Sequence, residues 1–348
     1  MQKYMTYLGN KRKLVDFILD LVRSKVPSNG TILDLFSGSG VVAHKLRQAQ
    51  YVVHANDIAA YSKFINISNL EIDFDLSHFD SKILEINSLK SPINEFYFSL
   101  HYSDPKRLFF TRENGLFIDA ALEVLHCLSN EYKTLKAVLL ADLLVKMSIH
   151  NNTGGHFKSF YKQLGGRNQE RLTRIAKPIQ LEKPELLKAP VGKAFQMDAI
   201  QFLSNCDTYD LIYLDPPYCG HQYSGNYHLL EAACLPFKQR YIPEDTQISG
   251  IDPFLYKSPY SQKKACYQEF LKLIDLARLK TKCVVFSYNA KGFLSKDEIR
   301  STLEKFGQVD LIEINHVTYR GGFARPNAAR PPLGVNEYLF VLTPCGSE

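Results

Sequence analysis

The 348-residue chain lacks an apolar run long enough to span a bilayer, a secretory signal, and any cysteine pair with redox or metal spacing. Its longest apolar candidate, KAVLLADLLVKM from Lys136, is interrupted by Asp142 and is typical of a buried helix. The N-terminal MQKYMTYLGNKRKL is basic but has no apolar core or cleavage site, which predicts a cytoplasmic protein. Seven cysteines without a C-x-x-C motif predict reduced thiols and no metal centre.

Charge is distributed unevenly along a chain that is otherwise ordinary for a globular protein. The net charge of +6 favours a polyanionic partner. Between Asn151 and Lys177, six basic residues accompany a single acid, Glu170. Such a stretch is typical either of a nucleic-acid-binding surface or of a solvated face, and composition leaves both interpretations open.

Two stretches have the pattern of an α/β sheet. The first alternates the helical pattern KRKLVDFILDLV, the strand TILDLF, a helix from Val41, the strand YVVHAN and a helix from Ile58. The second begins at Lys193 and predicts five strands: KAFQM, DLIYL, CVVFSY, VDLIEINHVTY and EYLFVL. The last two are close in sequence, which favours antiparallel pairing at an edge.

The region between these stretches has no such alternation. It contains helical patterns from Glu113 to Met147 and then the Gly/Asn-rich basic segment HNNTGGHFKSFYKQLGGRNQ. We therefore predict an α/β fold with a doubly wound, mostly parallel Rossmann-like sheet, an antiparallel edge strand and an inserted, mainly helical domain. The predicted boundaries are 1–72 and 191–348 for the catalytic domain and 73–190 for the insertion.

The segment ILDLFSGSGVVA has the features of a nucleoside-binding loop. Gly38 and Gly40 permit a tight turn and close approach of a ligand, and Asp57 ends the next strand, where ribose hydroxyls are commonly bound. The spacing also fits the dinucleotide motif G-x-G-x-x-A. However, Asp34 ends the preceding strand, and its carboxylate suits an ammonium group better than a pyrophosphate. Asp34 and Asp57 together predict S-adenosylmethionine, whereas turn glycines and helix-capping acids remain the structural alternative.

The segment DLIYLDPPYCG places an acid, two prolines and a tyrosine at a strand end. An exocyclic adenine amine is a poor nucleophile because its lone pair is delocalised. The Asp215 carboxylate and the Pro216 carbonyl are two acceptors for its N–H bonds, while Pro216 and Pro217 stiffen the turn and remove competing donors. Tyr218 offers a face on which a base can stack. A strand-ending acid before a proline turn is the structural alternative.

In its motifs and their order, the chain resembles the Dam-like alpha group of DNA adenine N6-methyltransferases. The shared order is an N-terminal cofactor element, the glycine loop, an insertion and then D-P-P-Y. YLGNKRKL resembles the aromatic-x-Gly-Gly-Lys element, with Asn10 in place of the second glycine as a residue that tolerates left-handed geometry. The cofactor-binding residues that the resemblance implies are Tyr7, Lys11, Asp34, Phe36, Gly38, Gly40, Asp57 and Asp198. For Asp198, a helix N-cap is an equal alternative.

The resemblance implies a site-specific enzyme that acts on double-stranded DNA, because a buried methyl donor reaches an adenine amine only after the base is extruded. The predicted DNA-binding residues are Lys158, Lys162, Arg167, Arg171, Arg174, Arg320 and Arg325. A monomer is expected, and both an orphan methylase and one accompanied by a separate cognate restriction endonuclease remain open. Methylation of an RNA base, a non-catalytic nucleic-acid-binding protein and a dehydrogenase are the alternative functions.

Overall fold

The computed structural model describes residues 5–317 and 334–345. The strands of this part are β1 (Thr31–Asp34), β2 (Val52–Asp57), β3 (Lys193–Gln196), β4 (Leu211–Leu214), β5 (Val284–Asn289), β6 (Gly307–Val317) and β7 (Gly334–Pro344). The helices are α1 (Val15–Lys25), α2 (Val41–Gln48), α3 (Ala60–Leu70), α4 (Asp80–Ser88), α5 (Phe98–His101), α6 (Arg112–Cys127), α7 (Lys133–Ile149), α8 (Gln169–Ala176), α9 (Ala199–Asn205), α10 (Tyr223–Asn226), α11 (His228–Cys234), α12 (Cys266–Ala277) and α13 (Lys296–Leu303).

The chain divides into two compact units. The sheet unit comprises Lys11–Ile58, Ala189–Gln222 and the chain from Lys257 onward. The helical unit comprises the chain up to Asn10, Ala59–Lys188 and Tyr223–Tyr256. The helical unit thus contains most of the predicted insertion together with a stretch that follows D-P-P-Y and that the sequence had assigned to the catalytic domain.

The sheet has the strand order β3-β2-β1-β4-β5-β7-β6. β3, β2, β1, β4 and β5 run parallel, whereas β7 pairs antiparallel with both β5 and β6. The predicted mostly parallel sheet with an antiparallel edge is confirmed, and β6 forms that edge. The strand order reverses between β1 and β4, and open α/β sheets bind ligands outside the strand ends at such a point.

Buried apolar residues of the strands form one core with helices of the sheet unit. Leu33 of β1, Ile212 of β4 and Phe286 of β5 pack with residues of α9, α12 and α13. The N-terminal helical pattern is also confirmed, because α1 buries Ile18 and Val22. Removing this apolar surface from water is the main driving force for folding of the unit.

The helical unit has a separate core. It is built from residues of α3, α6, α7 and α11, together with aromatic side chains such as Phe98, Phe109 and Phe110. α7 is buried on most of its surface. Within residues 5–317 and 334–345, no helix combines the length and apolar character needed to cross a membrane.

Candidate active site

Two neighbouring strands deliver carboxylates to the same edge of the sheet. Asp34 is the last residue of β1, and Asp215 immediately follows β4. The two strands pair in parallel, with Asp34 opposite Tyr213 in the register. Because parallel strands end at a common edge, both acids lie at the reversal point of the strand order.

The glycine loop turns sharply after β1. Gly38 and Gly40 have φ values of 48° and 72°, in the left-handed region that favours glycine. The Gly40 N–H donates to the Ser37 carbonyl at 2.8 Å, and the Ser37 N–H donates to the Asn56 carbonyl at 3.0 Å. Both glycines are therefore required by the turn itself, which leads directly into α2.

Asp34 is a buried carboxylate to which no described residue donates a hydrogen bond. Its side chain is 1% exposed, and both oxygens lack a donor. Burial raises its pKa well above the ordinary value, and the nearby carboxylates of Asp215 and Asp57 raise it further. The Ala43 N–H lies nearby, outside hydrogen-bonding geometry, and offsets this increase in pKa only in part. A folded protein seldom leaves a buried carboxylate in this state, so an external cation is the expected partner.

Asp57 is the last residue of β2, and Asp198 directly precedes α9. The Asp57 carboxylate accepts a hydrogen bond from the Gly38 N–H at 2.8 Å, which ties it to the glycine loop. Asp198 is the N-cap of α9, since its Oδ1 accepts from the N–H groups of Ile200 and Gln201 at 2.9 and 3.2 Å. The capping role considered for Asp198 is thus present, and its contact with a cofactor stays a prediction.

The D-P-P-Y segment is held rigidly at the end of β4. The Tyr218 carbonyl accepts from the Phe293 N–H at 2.9 Å and from the Tyr288 hydroxyl at 3.4 Å, and the Tyr218 ring packs edge-on against Tyr288. No described residue donates to the Pro216 carbonyl. The segment therefore keeps a free backbone acceptor beside the Asp215 carboxylate.

Lys11 lies between the partly buried carboxylate of Asp215 and the buried carboxylate of Glu337. Its Nζ is 2.8 Å from Asp215 Oδ1 and 2.7 Å from Glu337 Oε1. Burial lowers the pKa of Lys11, but the two carboxylates outweigh burial and hold it well above its ordinary value. Burial raises the pKa of Asp215 to about 6 despite the opposing effect of Lys11. Lys11 is thus charged, and Asp215 titrates closer to neutrality than an ordinary aspartate.

The sequence interpretation missed Glu337 together with Ser287 and Asn289. Ser287 and Asn289 are buried on β5, and both donate hydrogen bonds to the Glu337 carboxylate of β7, at 3.2 and 2.8 Å. The available signal was an acid within the run NEYLFVL, which otherwise reads as a buried strand. Glutamate is almost never fully buried unless it is paired, so a charge at that position indicates a specific partner.

Tyr7 and Asn10 belong to the helical unit. The Tyr7 ring stacks on Tyr227 with centroids 4.8 Å apart, and the Leu8 N–H donates to the Tyr227 hydroxyl at 2.7 Å. The left-handed residue of this turn is Gly9, with φ 69°, and Asn10 instead closes the turn by donating from Nδ2 to the Tyr7 carbonyl at 2.8 Å. The turn is thus present with Asn10 in place of the second glycine, and Gly9 rather than Asn10 has the left-handed geometry.

Buried amides hold the basic segment in shape. Asn152 is fully buried, donates to the carbonyls of Leu108 and Tyr161 at 2.9 and 2.8 Å, and accepts from the Gly165 N–H at 3.0 Å. The Phe157 side chain is also buried, and its N–H donates to the Asn226 carbonyl at 2.6 Å. These anchors explain why a Gly/Asn-rich stretch has a defined path.

The basic segment, taken from here on as residues 151–177, contains five of the predicted DNA-binding residues, and most of them are exposed. Arg171 is half-buried, with its guanidinium 4.2 Å from the ring centroid of Tyr161. No described carboxylate pairs with any of the five residues predicted from this segment. The four that are exposed are Lys158, Lys162, Arg167 and Arg174. The remaining predicted contacts, Arg320 and Arg325, lie outside the described residues.

The sheet topology and the acids at its carboxyl edge place the molecule among doubly wound α/β proteins, which bind ligands at this edge. The chain belongs to the D12 class N6 adenine-specific DNA methyltransferase family, whose model matches residues 7–302. The family predicted from the glycine loop and D-P-P-Y is thereby confirmed.

Several relatives of the chain are named type II methyltransferases. Type II methyltransferase M.FokI of Planomicrobium okeanokoites is 27% identical over 97% of this chain and 52% of its own length. Type II methyltransferase M.NlaIII of Neisseria lactamica is 28% identical over 97% of this chain and 99% of its own. M.CviAII of Paramecium bursaria Chlorella virus 1 is 25% identical over 97% of each. The chain therefore spans about half of M.FokI and nearly all of the other two.

Proposed function

We propose that this chain transfers a methyl group from S-adenosylmethionine to the N6 amine of an adenine extruded from duplex DNA. The observation that carries the proposal is the pair of acids at the β1–β4 reversal point: Asp34 is buried without a donor, and Asp215 is partly buried and ion-paired to Lys11. A site of this kind requires a cationic ligand next to an acceptor for a second, hydrogen-bond-donating ligand.

The residues at the edge fit S-adenosylmethionine in charge. Among the described residues, this cluster combines one cation, Lys11, with four acids, so acidic groups are in excess; the acids are Asp34, Asp57, Asp215 and Glu337. The ammonium and sulfonium groups of the cofactor relieve that excess. Asp34 would hold the ammonium group, Asp57 the ribose, and the glycine loop would allow close approach of the methionine portion. When bound, the cofactor supplies an electrophilic methyl group.

Asp215 and Pro216 act on the adenine amine. The Asp215 carboxylate and the Pro216 carbonyl accept the two N–H bonds of N6, and this geometry directs the nitrogen lone pair away from the ring and toward the methyl group. Tyr218 stacks on the base and limits its rotation. As the N6–CH₃ bond forms at the expense of the sulfonium S–CH₃ bond, the N6 proton becomes acidic and would pass along its hydrogen bond to the Asp215 carboxylate.

The basic segment is the proposed DNA surface. Its four exposed cations have no carboxylate partner among the described residues, which leaves them available for phosphates. The base has to leave the helix to reach a buried acceptor pair, and unstacking costs only a few kcal/mol. Like the modification methylases to which it is similar, the chain would methylate one short sequence. A cytoplasmic location and a separately acting endonuclease stay predictions.

The test is methyl transfer from labelled S-adenosylmethionine to adenine-containing duplex DNA, with ribosomal RNA as the competing substrate. We expect label at N6 of adenine in DNA and a loss of about 10³-fold or more in kcat for Asp215→Ala. Asp210→Asn is a matched control, because Asp210 precedes the same strand and accepts hydrogen bonds from Thr31 at 2.6 and 3.0 Å. Label in RNA alone, or wild-type turnover by Asp215→Ala, would refute the proposal.

A further inference from the structure

Glu337 is a buried acid that the methyl-transfer chemistry does not require. It is 3% exposed on β7, a strand flanked by neighbours on both sides. Its carboxylate is surrounded by three donors: Lys11 at 2.7 Å, Asn289 at 2.8 Å and Ser287 at 3.2 Å. The part of β7 from Leu339 to Leu342 is buried and apolar. An ionised group at such a position costs desolvation energy that an apolar residue would avoid, so a structural role alone does not account for it.

The contacts of Lys11 point to a role. One ammonium group lies 2.7 Å from Glu337 Oε1 and 2.8 Å from Asp215 Oδ1. A single positive charge shared between two carboxylates neutralises neither of them completely. We propose that Glu337 is a positioning residue that holds Lys11 midway between two acids and so keeps the Asp215 carboxylate available to the adenine amine.

The arrangement expected without the charge of Glu337 shows what this residue prevents. Without its charge, Lys11 would bind Asp215 alone and compete with the N6 amine for the carboxylate oxygens. Two effects then lower the pKa of Asp215, because a neighbouring like charge is lost and the ion pair with Lys11 tightens. The other titratable groups facing this pair are Asp34, Tyr213 and Tyr218. None of them replaces the lost negative charge beside Lys11.

This inference rests on the proposed function, and its test separates the two. Glu337→Gln keeps the side-chain shape and removes the charge. Its matched control is Glu313→Gln on the neighbouring strand β6, where Glu313 pairs with Lys296 at 2.8 Å on the exposed surface. We expect kcat of Glu337→Gln to fall about tenfold at neutral pH with less than about a twofold change in KM for S-adenosylmethionine, whereas the control behaves as wild type.

The second readout does not depend on turnover. The carboxyl signal of Asp215 is followed by NMR in cofactor-free protein labelled with ¹³C-aspartate and is identified by its loss in Asp215→Asn. We expect the Asp215 titration of Glu337→Gln to move about one unit to lower pH, the size of the effect of one neighbouring charge. Should that variant not fold, Asn289→Ala loosens the same carboxylate and is expected to produce a smaller shift in the same direction.

Two results would overturn the inference. One is an unchanged Asp215 titration with unchanged kcat in Glu337→Gln. The other is a lower melting temperature as the sole effect, which would mean that Glu337 only supports the sheet. If wild type does not methylate DNA, the proposed function fails, yet the NMR titration still decides whether Glu337 shares the charge of Lys11.

Discussion

Two buried aspartates, one in each unit, differ in the hydrogen bonds that their carboxyl groups accept. Asp119 of α6 is 0% exposed and accepts three hydrogen bonds, from the Phe98 N–H, the Ser99 N–H and the Ser99 hydroxyl, at 2.8, 2.8 and 2.6 Å. Asp34 is 1% exposed and accepts none from described residues. Burial raises the pKa of both, to about 6 for Asp119 and well above the ordinary value for Asp34.

The difference separates structural polar groups from functional ones. In the helical unit, the buried carboxylate and the buried amides of Asn114 and Asn152 are matched by protein partners, and the positive charge of the basic segment stands outside. In the sheet unit, Asp34 has no such partner among the described residues. A buried carboxyl group without partners destabilises the fold, and a ligand that supplies the missing partner offsets this cost. Asp119 therefore has a structural role, whereas Asp34 is a candidate for binding a ligand.

The largest expected effect concerns the four exposed cations of the basic segment. We expect that changing the exposed cations of the basic segment to glutamine removes four phosphate contacts. The slope of log K for DNA binding against log salt concentration should then become less steep by about 3.6, and the affinity near 0.1 M salt should fall roughly 10³-fold. The quadruple variant changes Lys158, Lys162, Arg167 and Arg174. S-adenosylmethionine affinity should not change, because none of the four residues is among the predicted cofactor-binding residues.

The measurement is fluorescence anisotropy of labelled duplex DNA across a salt series. The control removes four exposed lysines outside the segment, namely Lys90, Lys133, Lys282 and Lys305. An equal loss of affinity in both quadruple variants would show that only net charge matters and that the basic segment is an ordinary solvated face.

The second effect concerns the buried carboxyl group of Asp34. Asp34→Asn should weaken S-adenosylmethionine binding by about 100-fold, measured by calorimetry, because it removes the partner of a buried cation. The same change should raise the melting temperature of the cofactor-free protein, since it removes the electrostatic repulsion of Asp34 by Asp215 and Asp57. Asp119→Asn is the matched control and should do the reverse, lowering stability by about 2 kcal/mol through lost hydrogen bonds without changing cofactor affinity. If both variants lowered the melting temperature, Asp34 would be a structural residue like Asp119.

The third effect concerns the scaffold of the basic segment. Asn152→Ala removes a side chain with three hydrogen bonds and leaves buried backbone groups unmatched, so we expect a loss of about 2 kcal/mol in the free energy of unfolding by urea. Asn205→Ala is the control, because that exposed side chain makes one bond to the Gln201 carbonyl. Equal stability of the two variants would mean that the basic segment is not held by Asn152.

Sequence reasoning was most successful where a local pattern reflects a local cause. Alternation of strands and helices predicted the parallel sheet, and the glycines of the loop after β1 are found in left-handed geometry. It failed where the cause is distant in the chain. Glu337 meets Lys11 from the opposite end of the sequence, and no local pattern encodes that pairing. The raised pKa of Asp215 has a similar origin, since burial by the whole fold causes it.

The smallest expected effect is the pH dependence of catalysis. Asp215 must be ionised to accept the N6 hydrogen bond, and its pKa of about 6 predicts an acid limb in kcat/KM near that value, with roughly a tenfold fall between pH 7 and 5. A cationic cofactor stabilises the carboxylate, so the limb in kcat should lie at lower pH. Unfolding does not explain either limb, because a carboxyl with a raised folded pKa favours the folded state as pH falls through the window from about 4 to 6.

Asp119 makes the assignment of this limb testable. Burial gives its carboxyl a pKa of about 6 as well, so the two units contain groups that titrate together. Stopped-time methylation assays across pH should show the limb intact in Asp119→Asn and moved to lower pH in Glu337→Gln. Loss of the limb in Asp119→Asn would assign it to the helical unit, and the carboxylate at the sheet edge would then not control the reaction.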